Sequence, residues 1–170
     1  GWTSEPMSES GDTVHTEGDL VYSYARKQGN GTYEVNGVEF KALSDGGDFK
    51  QQSKNPDVSI SPDSFDWASG LGKEGVAGDY GEILNNALTG WQLSGNVTYT
   101  LKNLEAGESY LVQVILHRSG QTYAVTAQGS DASITVGGSG WTYGGSLTDV
   151  FQADASTYSF TLNYGGAFIM

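Results

Sequence analysis

From Asn96 onward the sequence repeats one pattern: short runs of β-branched and aromatic residues, each cut off by glycine, asparagine, aspartate or serine. Val97, Tyr99 and Leu101 alternate with polar neighbours, and Tyr110–Leu116 is a nearly continuous apolar run. Shorter runs follow near 122–128, 131–136, 146–152 and 157–163. A period of two puts alternate side chains on one face of a strand. Strands that follow one another with only turns between them build a sandwich or barrel rather than a βαβ fold. Composition agrees, with 25 glycines, 16% charged residues and none of the Ala-, Leu-, Glu- and Lys-rich stretches that build long helices. The expected fold class is all-β, a Greek-key or jelly-roll β-sandwich.

Upstream, Leu20, Tyr22 and Tyr24 alternate with Val21, Ser23 and Ala25, which predicts a strand. Asn36-Gly37 stands between Val35 and Val38, a hairpin signal because these residue types accept the positive φ that a tight turn demands. Residues 44–78 are rich in Asp, Gly and Ser and read as irregular, with one short strand near Val58–Ile60. Residues 79–89 form the one expected helix, with Tyr80, Ile83, Leu84, Ala87 and Leu88 on one face and Asp79 as N-cap. Residues 1–18 are polar, with Trp2, Met7 and Val14 scattered through them. The chain divides into an N-terminal arm, 1–18, and one sandwich domain, 19–170. A chain of 170 residues suits a single domain whose core needs no disulfide or metal.

One local motif is specific. Leu104, Gly107 and Tyr110 open an alternating strand in the pattern of a tyrosine corner. In that motif the phenol bonds back to the backbone upstream and pins the crossover between sheets. The role of Tyr110 is therefore structural.

GDLVYSY, VNGVEFKAL, DYGEILNNAL, YTLKNLEAGESYLVQVIL and DVFQADASTYSFTLNYGGAFIM follow one another in a series whose similarity runs over roughly residues 11–170, nearly the whole chain. The series resembles a secreted, jelly-roll-like β-sandwich domain of planctomycete and verrucomicrobial surface proteins. The most specific pieces are Val35–Phe40, Leu104–Val114 and Phe151–Leu162. The resemblance implies the fold and an extracellular or cell-surface setting; it carries no catalytic residues, and the family's function is largely unassigned. The shape is also similar to galactose-binding-like carbohydrate modules. The family pattern continues a few residues past the last strand, whereas this sequence stops at Ala167-Phe168-Ile169-Met170.

Charge and residue inventory narrow the chemistry. The net charge of −12 and the lack of a Lys/Arg cluster argue against nucleic acid and against anionic membranes. No run approaches the length of a membrane-spanning helix. The absence of Cys excludes thiolate zinc sites, redox pairs and disulfides. Asp63 and Asp66 are the obvious carboxylate pair for glycosidase chemistry, but they read better as a solvated turn beside Trp67. The two histidines, His15 and His117, stand in the arm and at a strand end, with no nucleophile elbow. Asp45, Asp48 and Asp57 are a candidate structural calcium set, although their spacing matches no known calcium loop and plain turns explain them. An isopeptide bond through Lys41 or Lys102 is disfavoured, because Lys102 falls opposite the apolar face of Val97, Tyr99 and Leu101. The sequons at Asn30 and Asn96 read as chance. No catalytic residue, metal ligand or cofactor is assigned.

Two functional readings remain. The first is a non-catalytic extracellular structural protein, a surface or filament subunit whose partner is itself. In that reading the arm packs on a neighbouring subunit through Trp2 and Met7, and its backbone pairs along an open sheet edge beside Ala167, Phe168, Ile169 and Met170. The alternative is a carbohydrate-binding module whose loop aromatics Trp67, Trp91, Trp141 and Tyr143 stack on sugar rings, set against the simpler role of plugging the sandwich ends. Within the core, Val112, Val114 and Leu116 are expected on one inward face.

Overall fold

The computed structural model describes residues 1–8, 10–25, 31–43, 55–61, 67–68, 78–85, 88–89, 95–117, 120–138 and 144–164. In chain order the strands are β1 Thr3–Pro6, β2 Tyr24–Ala25, β3 Thr32–Val35, β4 Val38–Ala42, β5 Val58–Ser61 and β6 Trp67–Ala68. Helix α1, Gly78–Asn85, follows, and then β7 Leu88–Thr89, β8 Gly95–Leu101 and β9 Ser109–His117. The last strands are β10 Gly120–Ala127, β11 Ser133–Gly138, β12 Gly144–Gln152 and β13 Tyr158–Tyr164.

The C-terminal strands wind as a rolled hairpin. β10 pairs with β11, β9 with β12 and β8 with β13, each antiparallel and each nested outside the one before. That nesting is the jelly-roll winding, and it splits the strands between two sheets. One has the order β11-β10-β13-β8-β5, the other β1-β12-β9. The all-β sandwich expected from the strand pattern is the observed fold.

The main core lies between these sheets. Val97, Leu116, Val125, Ala127, Leu147 and Leu162 are nearly or fully buried there. Val112 and Val114 are half-buried against the same cluster, so β9 turns the expected face inward. Tyr99 stacks on Phe160 with ring centroids 5.1 Å apart, and its hydroxyl meets that of Tyr164 at 2.6 Å. A third layer covers the outer face of the smaller sheet. There Val14, Val35 and Val38 form a second cluster, with Phe40, Tyr80, Ile83 and Ile115 packed against it.

The hairpin between β3 and β4 turns at Asn36 and Gly37, whose φ values of 52° and 76° are what the Asn-Gly signal predicts. Three expectations need correction. Leu20–Ala25 is not one strand: Tyr24–Ala25 alone pairs with β4, and Leu20 and Val21 are exposed. The alternation survives in Tyr22 and Tyr24, whose rings lie 5.9 Å apart, but among the described residues no strand pairs with Leu20 and Val21. The helix stops at Asn85, and Leu88–Thr89 pair with β6 instead of continuing it. Asp79 does not cap the helix, because its carboxylate accepts the Glu34 N–H at 2.8 Å and ties α1 to β3.

The arm folds along its own chain in this structure. Residues 3–6 pair antiparallel with β12 of their own chain, Thr3 opposite Thr148 and Pro6 opposite Gly145. Trp2 lies against Phe160 at 5.0 Å, and Met7 is buried. The anchors expected to reach a neighbour are seated on their own domain. A strand at a sheet edge gains a backbone ladder whatever its side chains are, so the polar TSEP segment needs no alternating apolar pattern.

Candidate functional site

The three-stranded sheet has two edges of opposite character, and local hydrogen bonding decides which is open. The Met7 N–H donates to the Gly144 carbonyl at 3.2 Å, which makes Met7 and Gly144 a bonded pair. Antiparallel ladders alternate, so Glu5 with Ser146 and Thr3 with Thr148 are the other bonded pairs of β1. Ser4 and Pro6 then point their backbone away from β12, to the outer edge. Pro6 has no N–H to offer there, which is how natural sheets blunt an edge.

The same alternation carries across β12. Gly145, Leu147, Asp149 and Phe151 must bond to Leu116, Val114, Val112 and Tyr110 of β9. The N–H and C=O groups of Leu111, Gln113 and Ile115 therefore face the far side of β9. No strand among the described residues lies along that side. Burial agrees: Leu147 is 0% exposed in the middle of the sheet, yet its cross-strand neighbour Val114 is only half-buried. Leu111 and Val150, opposite each other on the outer face, are 39% and 60% exposed. From Ser109 to Leu116 this edge carries no charge and no proline.

The lower end of β9 is fixed by the corner. The Glu105 N–H donates to the Tyr110 hydroxyl at 2.8 Å. Gly107 adopts φ 93° and donates to the Ala153 carbonyl at 2.7 Å, while the Ala153 N–H returns to Glu108 at 2.9 Å. Leu104 is buried, and its N–H reaches Ser156 at 3.0 Å. Tyr110 also packs on Phe151, which stacks on Tyr158 at 3.7 Å. Above the corner, Gln113 clamps the arm from the outer face. Its Nε2 donates to the Thr13 carbonyl at 2.7 Å and to Ser146 Oγ at 3.0 Å, and its Oε1 accepts the His15 N–H at 3.0 Å. The edge of β9 is thus tied to the corner and to the arm, and among the described residues no strand covers it.

The remaining sequence candidates are scattered. His15 sits between Glu5 at 3.4 Å and Glu17 at 2.9 Å, and it holds the exposed Glu17 carboxyl below its usual range. His117 is buried at the other end of β9. Asp149 is buried beneath the arm, where it accepts the Tyr158 hydroxyl at 2.6 Å and lies 3.4 Å from the Gly1 amine. Asp57 accepts from Asn103 Nδ2 at 2.8 Å and from the Tyr24 hydroxyl. Lys102 lies just beyond β8, and its Nζ donates to the Asn55 carbonyl at 3.1 Å, so its ammonium is turned to backbone rather than to an acid. Among the described residues no group of three or more His, Asp or Glu side chains is arranged to hold a metal. Among them, too, no helix is long and apolar enough to cross a membrane.

Trp67 belongs to β6, but its side chain lies outside the described residues, as do Trp91, Trp141 and Tyr143 altogether. Asp45, Asp48, Asp63, Asp66 and Ala167–Met170 lie outside them as well. The edge of β9 was missed by sequence reasoning, which located assembly at the termini. The signal was there in the uncharged run Tyr110–Leu116, which reads equally well as a central strand buried on both sides. No known protein family, curated protein or solved structure matches the chain.

Proposed function

We propose that this chain is a non-catalytic subunit of an extracellular or cell-surface structure, and that it assembles with copies of itself through a sheet edge. The observation that carries the reading is the long, uncharged edge of β9, along which no strand of the described residues lies. An edge of nine residues with no lysine, proline or bulge is a template for another strand, and folds that stay single guard against it. The contrast with Pro6 on the opposite edge adds weight, since one side of the sheet is guarded and the other is not.

Sedimentation of the purified chain from roughly 1 μM to 1 mM tests the reading across about 4 kcal/mol of association energy. Mass-action association within that range is expected, with negative-stain microscopy to count the subunits. A monomer throughout the range overturns the proposal.

A further inference from the structure

Resting on that reading, we infer that the partner strand is β9 of a second copy, paired antiparallel about a two-fold axis at Gln113. Three observations lead to this partner. The first is the sequence of the edge, Tyr110-Leu111-Val112-Gln113-Val114-Ile115-Leu116, which is nearly the same read from either end in residue type. Pairing about Gln113 sets Val112 opposite Val114 and Leu111 opposite Ile115. A two-fold contact requires such a self-complementary patch, because each residue meets its counterpart's partner twice.

The second observation is the hydrogen-bond phase. Gln113 is one of the residues whose N–H and C=O face outward, as are Leu111 and Ile115. An axis through Gln113 therefore falls on a bonded pair, and each of these residues finds both its donor and its acceptor. An axis midway between two residues would set these outward groups against inward ones and leave them without partners; an axis at Val112 or Val114 would keep the ladder but oppose Gln113 to Leu111 or Ile115, and so lose the match of residue types. The faces match as well. Val112 and Val114 turn toward the main core and Ile115 toward the second cluster in each copy, so both inner layers continue across the junction.

The third observation is charge. The chain carries −12, and two copies repel one another over most of their surface. Ser109–Leu116 has no acidic residue, so this strand is a place where two such bodies can meet without opposing carboxylates. Pairing also covers Leu111, which is otherwise 39% exposed, with Ile115 of the second copy.

Disulfide trapping tests the register, and the chain has no cysteine of its own to interfere. Across a bonded antiparallel pair the Cα atoms lie about 5.5 Å apart, within disulfide reach. Gln113→Cys is expected to cross-link the dimer under mild oxidation. Leu111→Cys alone is not, because it meets its own counterpart at about 14 Å, four residues along the strand. Leu111→Lys provides a second measurement at an exposed position that the fold tolerates. It is expected to weaken dimerisation by about twofold to thirtyfold through loss of two Leu–Ile pairs, with an unchanged circular dichroism spectrum. If the native chain associates but Gln113→Cys does not cross-link, or Leu111→Cys cross-links as readily, the two-fold register is wrong while assembly through another surface stands. A native chain that is monomeric throughout removes both the register and the assembly reading.

Discussion

At the scale of single residues, the smaller sheet is set by one glycine and one leucine. A Cβ on Gly145 would come within 2.5 Å of the Glu5 carbonyl and 3.1 Å of Ile134, so only glycine lets β1 and β11 approach β12 together. Gly145→Ala is expected to destabilise the fold by about 1–3 kcal/mol through overpacking, read from the urea midpoint. Leu147, fully buried beside it, should cost about 2–5 kcal/mol when cut to Ala. Half-buried Val114 should cost about 1 kcal/mol for the same change. Equal losses at the two sites would mean that the edge of β9 is not open in solution. Tyrosines mark the pH limit of the fold. Burial pushes the phenols of Tyr22, Tyr24 and Tyr80 up from 10.0 to about 12, with Asp57 adding to the first two and Asp12 to the third. Burial and Asp149 push Tyr158 up as well. A raised phenol favours the neutral, folded form, so this stability is complete below pH 10 and is lost as pH rises toward 12. Thermal scans should be insensitive to these groups up to pH 10 and show a falling melting temperature above it, less steeply for Tyr80→Phe.

At the scale of elements, what was legible in the sequence is what local chemistry decides. Asn36-Gly37 specifies its own turn, and Val97, Tyr99 and Leu101 specify their own face, because φ preference and alternation need no knowledge of the partner. Tyr110 declares the corner through its spacing from Leu104 and Gly107. The arm was not legible, since a ladder on β12 asks nothing of Ser4 or Glu5 beyond an extended backbone. Nor was the end of the helix, where pairing of Leu88–Thr89 with β6 overrides a face that continued on paper. The candidate edge lies between these cases: the uncharged run was visible, but whether a strand has one neighbour or two is decided by topology. The arm gives the sharpest test at this scale. With Met7 buried, β1 bonded to β12 and Trp2 on Phe160, deletion of residues 1–10 should destabilise the monomer by more than about 2 kcal/mol, at least the cost of losing a buried methionine. Unchanged stability after that deletion would mean that β1 does not occupy its place on β12.

At the scale of the whole molecule, the acidic surface and the neutral edge make opposite demands on association. Screening shortens from about 30 Å at 0.01 M salt to about 8 Å at 0.15 M, so added salt removes repulsion between two −12 bodies while leaving the strand ladder intact. The dimer should tighten as salt rises over that range; a dimer that weakens would have to be held by ion pairs instead. Joining two copies along β9 yields one sheet of six strands, β1-β12-β9 followed by its inverse. Both rims of that sheet are then β1, and each rim presents Pro6. The imide nitrogen that blunts one edge of a single chain thus becomes a stop at both ends of the pair. Growth through this sheet is self-limiting: the count ends at two, and any longer array must extend in another direction, using dimers as its building blocks.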